Sequence, residues 1–174
     1  MIEAILFIVG SIGIVWISIP FLRRPGSRGY FRFFAWESIW GMFVINTRAW
    51  FVHPYAWNQI ISWILLITSL YPLISGVYLL RNAGSPTDAL EATTQLVQSG
   101  IYRFIRHPLY TSLLYLAWGI FFKSPFLLGG CLVIVASAFL YAIATADERE
   151  CLTKFGNDYA IYVKKTRMFI PFVF

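Results

Sequence analysis

The sequence predicts an all-α fold: a polytopic membrane helical bundle of about five transmembrane helices, with a C-terminal amphipathic helix on the cytoplasmic side. Three observations predict it. Of 174 residues, 59% are hydrophobic and only 13% are charged, with a mean hydropathy of +0.67. A soluble domain of this length needs far more polar surface. Apolar runs long enough for a bilayer recur along the chain. The positive side chains gather in alternate connections.

Residues 4–22 are apolar and long enough to cross a hydrocarbon core of about 30 Å. They lack the basic start and small-residue cleavage site of a signal peptide. Residues 33–52 form a second expected span, carrying Glu37, Asn46 and Arg48. One face of it must therefore avoid lipid, although snorkelling from a span end accounts for Glu37 and Arg48 equally well. His53-Pro54 and Asn58 mark a turn, and residues 60–80 form a third span. The longest polar stretch follows, with Gly84, Ser85 and Pro86 as breakers. Residues 109–122 are a fourth apolar segment, too short to cross alone at about 21 Å. After Lys123-Ser124-Pro125, residues 126–146 make a fifth, so segments four and five are expected to form a hairpin.

Arg23, Arg24, Arg28 and Arg32 follow the first span; Arg81, Arg103 and Arg106 follow the third; Arg149, Lys154, Lys164, Lys165 and Arg167 follow the fifth. Five spans put all three groups on one side, which the positive-inside rule places in the cytoplasm, with the N-terminus outside. Only Arg48 and Lys123 fall elsewhere. The net charge of +6 thus sits in membrane-flanking loops, which argues against a nucleic-acid partner. Cys131 and Cys151 have neither disulfide nor metal spacing, and two histidines without a Cys/His cluster argue against a metal site.

Residues 147–165 read as one amphipathic helix. Glu148, Leu152, Phe155, Tyr159 and Tyr162 recur at helical spacing on one face. Gly156 weakens this helix without having to end it, and Lys154 and Asp158 lie off the face as a solvated pair. The terminal Phe169-Ile170-Pro171-Phe172-Val173-Phe174 is apolar enough to re-enter the interface.

The hairpin returns Asp147 and Glu148 to the surface where Arg103, Arg106 and His107 precede Pro108, the expected first residue of the fourth helix. Free amides and a positive dipole end at that helix start suit a carboxylate or phosphate. Glu148 offers an ammonium partner, and Tyr102, Tyr110, Tyr159 and Tyr162 offer π faces to a sulfonium. Taken one at a time, the arginines serve equally as membrane anchors, His107 as a cap, Glu148 as a helix-start acid and the tyrosines as a membrane-facing surface.

The ordered series Leu96-Val97-Gln98-Ser99-Gly100-Ile101-Tyr102, Arg106-His107-Pro108-Leu109-Tyr110, Asp147-Glu148, Phe155-Gly156, Tyr159 and Tyr162 resembles the isoprenylcysteine carboxyl methyltransferase family, within a wider group that includes phospholipid N-methyltransferases. The likeness covers roughly residues 80–174. It implies a membrane methyltransferase that uses S-adenosyl-L-methionine and a lipophilic acceptor. A bundle this small leaves room for a single domain over 1–174, with N-terminal spans over 1–80, and the resemblance makes 81–174 its cofactor-binding half. By the resemblance, Thr94, Gln95, Leu96, Val97, Tyr102, His107, Pro108, Leu109, Tyr110 and Glu148 line the cofactor pocket, and Arg167 orients the acceptor, with Glu148 and Arg167 the catalytic candidates. No metal is implied. The sequence departs from the family at Asp147, Ser112 and Ala144; the last replaces a substrate-binding arginine and weighs against a prenylcysteine carboxylate. Two other readings stand: a sterol-reductase-like membrane oxidoreductase using NADPH, and a non-catalytic membrane scaffold.

Overall fold

The computed structural model describes residues 2–85 and 93–171. All regular structure among them is helical: α1 (Ile2–Leu22), α2 (Arg28–Ile45), α3 (Trp57–Ala83), α4 (Pro108–Phe121), α5 (Leu127–Phe155) and α6 (Asn157–Lys165), with short 3₁₀ turns at Thr47–Ala49 and Gly100–Arg103. α3 packs along α4, and α2 packs along both α5 and α1. Three helices, α1, α3 and α5, are long and apolar enough to cross a membrane. α2 and α4, at about 27 and 21 Å, are shorter than a hydrocarbon core. The fourth segment does not begin before Pro108.

Each boundary has a local cause. Ser27 caps α2, its hydroxyl accepting from the Tyr30 amide. Proline opens α4, where its missing N–H has no helical partner to lose. Gly76 lets α3 approach α4 closely: a Cβ there would lie 3.2 Å from the Pro108 ring.

Two expectations are corrected. The stretch 147–165 is not one helix. α5 runs on through Phe155, so at about 43 Å it outlasts the hydrocarbon core of about 30 Å, and its residues 147–155 project beyond the span of 127–146. Gly156, at φ +54, then ends the helix in a conformation suited to glycine, and α6 leaves in a new direction. That turn separates Lys154 from Asp158, and Lys154 instead donates to the Thr93 carbonyl at 2.6 Å. Nor do Glu37 and Arg48 lie near the ends of one span. Glu37 is mid-α2, accepting from Ser11 of α1 at 2.9 Å, while Arg48 lies in the 3₁₀ turn and pairs with Glu3 at 2.6 Å. Pro86 and residues 172–174 lie outside the described residues.

Lys123 sits in the α4–α5 turn, the full length of α4 away from His107. It is 1% exposed. Its ammonium lies 3.6 Å from the Trp63 ring centroid and 3.1 Å from Gln59 Oε1. Gln59 Nε2 donates to the carbonyls of Ala49 and Lys123 at 2.8 and 2.9 Å. These bonds fasten the hairpin turn to the start of α3.

Candidate functional site

The site forms where three separated stretches of chain meet. The first is the entry into α4. His107 is its N-cap, and its carbonyl accepts from the Thr111 amide and hydroxyl at 2.9 and 3.0 Å. The second is the segment after α6, which runs beside this entry as a short parallel bridge between Ile105 and Arg167. The Arg106 amide donates to the Arg167 carbonyl (2.8 Å), the His107 amide to Met168 (3.2 Å), and the Arg167 amide to Phe104 (3.0 Å). The third is the projecting end of α5, which brings Asp147 and Glu148.

Side chains then lock together. Arg106 Nε donates to Glu148 Oε1 at 2.7 Å, and its NH1 donates to the Thr166 and Val163 carbonyls at 2.7 and 3.3 Å. His107 Nε2 lies 3.3 Å from the same Glu148 oxygen, while Nδ1 lies 3.6 Å from Asp147 Oδ2. With Glu148 ionised, Nε2 is the donating nitrogen of that pair. Arg28, at the start of α2, holds the other carboxylates: NH1 to Asp147 Oδ1 at 2.5 Å and NH2 to Glu150 Oε2 at 2.7 Å. The His107 and Tyr110 rings stack at 5.5 Å.

Burial opposes ionisation of Glu148, but its hydrogen bonds from His107 and Arg106, with the charges of both, outweigh it and hold the carboxyl below its ordinary range. Burial pushes the Cys151 thiol up to about 12, so it stays protonated and unreactive. Burial also raises the Tyr159 and Tyr162 phenols, which remain neutral. Tyr162 donates its hydroxyl to the Tyr102 carbonyl at 2.6 Å, tying α6 to the 3₁₀ turn before the site.

These groups surround a small cavity of about 70 Å³. Of the sequence candidates, Leu96, Val97, Tyr102, His107, Pro108, Leu109 and Tyr110 line it. Thr94 and Gln95 line an adjoining cleft of about 530 Å³ that shares Leu96 and Phe155 with it. Arg106, His107 and Asp147 also line the cavity, whereas Glu148 does not. Arg167 is exposed, and its backbone makes the bridge. Two contributors escaped the sequence reading: Arg28, which looked like any loop cation, and the carbonyls of residues 163–168, which carry no side-chain signal.

A family model described as phospholipid methyltransferase matches residues 57–157, more than half of the chain. The chain belongs to the phospholipid methyltransferase family. The match spans α3 to the end of α5 and includes Arg106, His107, Asp147 and Glu148, overlapping most of the stretch 80–174 on which the sequence resemblance rests. The curated methanethiol S-methyltransferase 1 of Bradyrhizobium diazoefficiens is 25% identical over 118 residues, covering 63% of this chain. The match spans only 39% of that relative's length. No solved structure matches the chain. Among the described residues, no group of His, Cys, Asp and Glu is arranged to hold a metal ion.

Proposed function

We propose that this family member transfers a methyl group from S-adenosyl-L-methionine to a lipophilic acceptor that reaches the site from the bilayer. The observation that carries the reading is the meeting of Arg106, His107 and Asp147 on the wall of one cavity beside the α4 N-terminus, with Glu148 bonded to Arg106 and His107. That donor set suits a molecule bearing both an ammonium and a carboxylate. The tyrosine faces suit a sulfonium. The small cavity has room for the small end of such a ligand, and the adjoining cleft has room for a nucleoside. The residues present therefore fit S-adenosylmethionine.

When bound, that molecule supplies an electrophilic methyl carbon. The chain's part is to align and to exclude water. Val97, Leu109 and Tyr110 provide apolar walls, while Arg106 and His107 fix the polar end. Arg167, on the strand-like segment beside the site, would orient the acceptor. The single domain lies with its N-terminus outside and its site on the cytoplasmic face, a placement supported by the loop cations.

The relative named for methanethiol favours a second acceptor class, a small thiol. Membranes containing the protein, incubated with methyl-labelled S-adenosylmethionine, would separate the two. Label in an extractable lipid fraction supports the lipophilic acceptor. Label only in a volatile thioether after thiol addition replaces it. No incorporation with any acceptor, and no binding of S-adenosylhomocysteine, would remove the methyl-transfer reading from this site.

A further inference from the structure

We propose that the end of the bundle opposite the candidate site carries a second ligand site, a polar cleft that takes the phosphate of a phospholipid head. The proposal goes beyond methyl transfer and stands or falls without it.

The cleft, of about 550 Å³, lies where the turn after α2, the start of α3 and the α4–α5 turn come together. Its lining includes Ala56 and Phe126, the N-caps of α3 and α5. Neither makes a side-chain capping bond. Two helix starts therefore bring uncapped amides and positive dipole ends to one place, an arrangement that favours an oxyanion.

Lys123 also lines the cleft. Its buried ammonium rests on neutral partners: Gln59 Oε1, the Trp50 carbonyl at 3.5 Å and the Trp63 ring. Among the described residues no carboxylate pairs with it. A buried cation lacking a counter-ion is unfavourable, and an anion in the cleft offsets that penalty. Arg48 adds a second positive charge at the exposed rim, partly balanced by Glu3.

An independent observation points to an occupant. Asn46 lines the same cleft and is 1% exposed. Its Nδ2 donates to the Met42 carbonyl at 3.0 Å, which leaves Oδ1 facing away from that bond, buried and without a hydrogen-bond partner. A buried acceptor of this kind calls for a donor. The occupant thus combines an anionic phosphate with a hydroxyl, as a phosphodiester head bearing glycerol does. Phe51, Tyr55, Trp57 and Leu127, chain neighbours of the lining residues, are strongly exposed. Bulky apolar side chains around a polar cleft suit a phosphate that arrives attached to acyl chains rather than free in water.

The test is isothermal titration of the whole chain in a phosphate-free maltoside detergent. The probes are short-chain phosphatidylglycerol, phosphatidylcholine and diacylglycerol, and inorganic phosphate. Phosphatidylglycerol is expected to bind about tenfold or more tightly than each of the others. Ala56→Asp supplies the α3 start with an anion of the chain's own. It should raise the thermal midpoint without lipid by about 2–4 °C and weaken phosphatidylglycerol by about tenfold or more. Ala56→Ser, a cap without charge, should raise the midpoint and keep the lipid affinity within a few-fold. Diacylglycerol binding as tightly as phosphatidylglycerol overturns the phosphate site, and equal binding of phosphatidylcholine overturns the hydroxyl on Asn46. Inorganic phosphate binding as tightly as the lipid overturns the lipid as its source. Undiminished lipid binding in Ala56→Asp, or the same loss in Ala56→Ser, overturns the part given to the helix starts. If Ala56→Asp does not fold, the four-probe comparison on the wild type still decides the proposal.

Discussion

Arg106 and Glu148 stand 42 positions apart and are joined by a 2.7 Å hydrogen bond, with side chains 9% and 17% exposed. Breaking such a pair from one side leaves a poorly solvated charge. Arg106→Met is therefore expected to destabilise the protein by about 3 kcal/mol, at the low end for buried pairs because Glu148 keeps His107 and some water. The double variant Arg106→Met/Glu148→Met should cost less than the two single losses added. Denaturation in a fixed detergent would show it; strict additivity would mean that the pair is not coupled.

Acid should undo the same contact. The Glu148 carboxyl is held below the ordinary glutamate value of 4.5 in the folded protein. A depressed acid contributes stability that is fully present above its unfolded pKa and lost as pH falls through its folded one. The thermal midpoint of the wild type should thus fall from about pH 4.5 downward more steeply than that of Glu148→Gln. Parallel curves for the two proteins would refute the linkage.

Gly156→Ala is predicted to cost about 1–3 kcal/mol, although a Cβ there meets nothing within 4 Å. The cost is conformational: at φ +54 the backbone is in a region that L side chains resist. Relief by continuing α5 would pull Tyr159 and Tyr162 from the cavity wall, so weaker S-adenosylhomocysteine binding should accompany the lowered melting temperature. A silent substitution would mean that the turn tolerates a side chain.

Arg167 separates main chain from side chain. Arg167→Ala keeps the bridge and should raise acceptor KM without altering S-adenosylhomocysteine affinity. Arg167→Pro removes the amide that donates to Phe104 at 3.0 Å, and should weaken both. If alanine and proline behave alike, either the guanidinium has no acceptor role or the bridge has no structural one.

Lys123→Met should destabilise by about 1–3 kcal/mol, because Gln59 Oε1 loses its buried donor. The site lies at the other end of α4, so ligand affinity should hold in the protein that remains folded. A selective loss of affinity would show that the two ends communicate.

The bundle was legible in the apolar runs, and the hairpin in the Lys123-Ser124-Pro125 break, because burial and turn chemistry leave local marks. Arg106, His107 and the acid pair were legible because the hairpin returns one to the other. The division of labour between Asp147 and Glu148 was not: it depends on which cation reaches which oxygen, and Arg28 arrives from over a hundred positions away. The end of α5 was misread for a simpler reason. A helical stripe continues in register across Gly156, and periodicity alone is blind to the sign of a single φ.

The latch between residues 104–107 and 166–168 sets a limit on how this protein can be trimmed. A fragment cut to the family-matched block of residues 57–157 would retain Arg106, His107, Asp147 and Glu148 but lose Tyr159 and Tyr162. It would also strand the guanidinium of Arg106 without its two carbonyl acceptors and Asp147 without its arginine. Such a minimal version should insert into a bilayer and still lack a pre-shaped binding place, which makes it a useful inert partner for the whole chain in ligand-capture work.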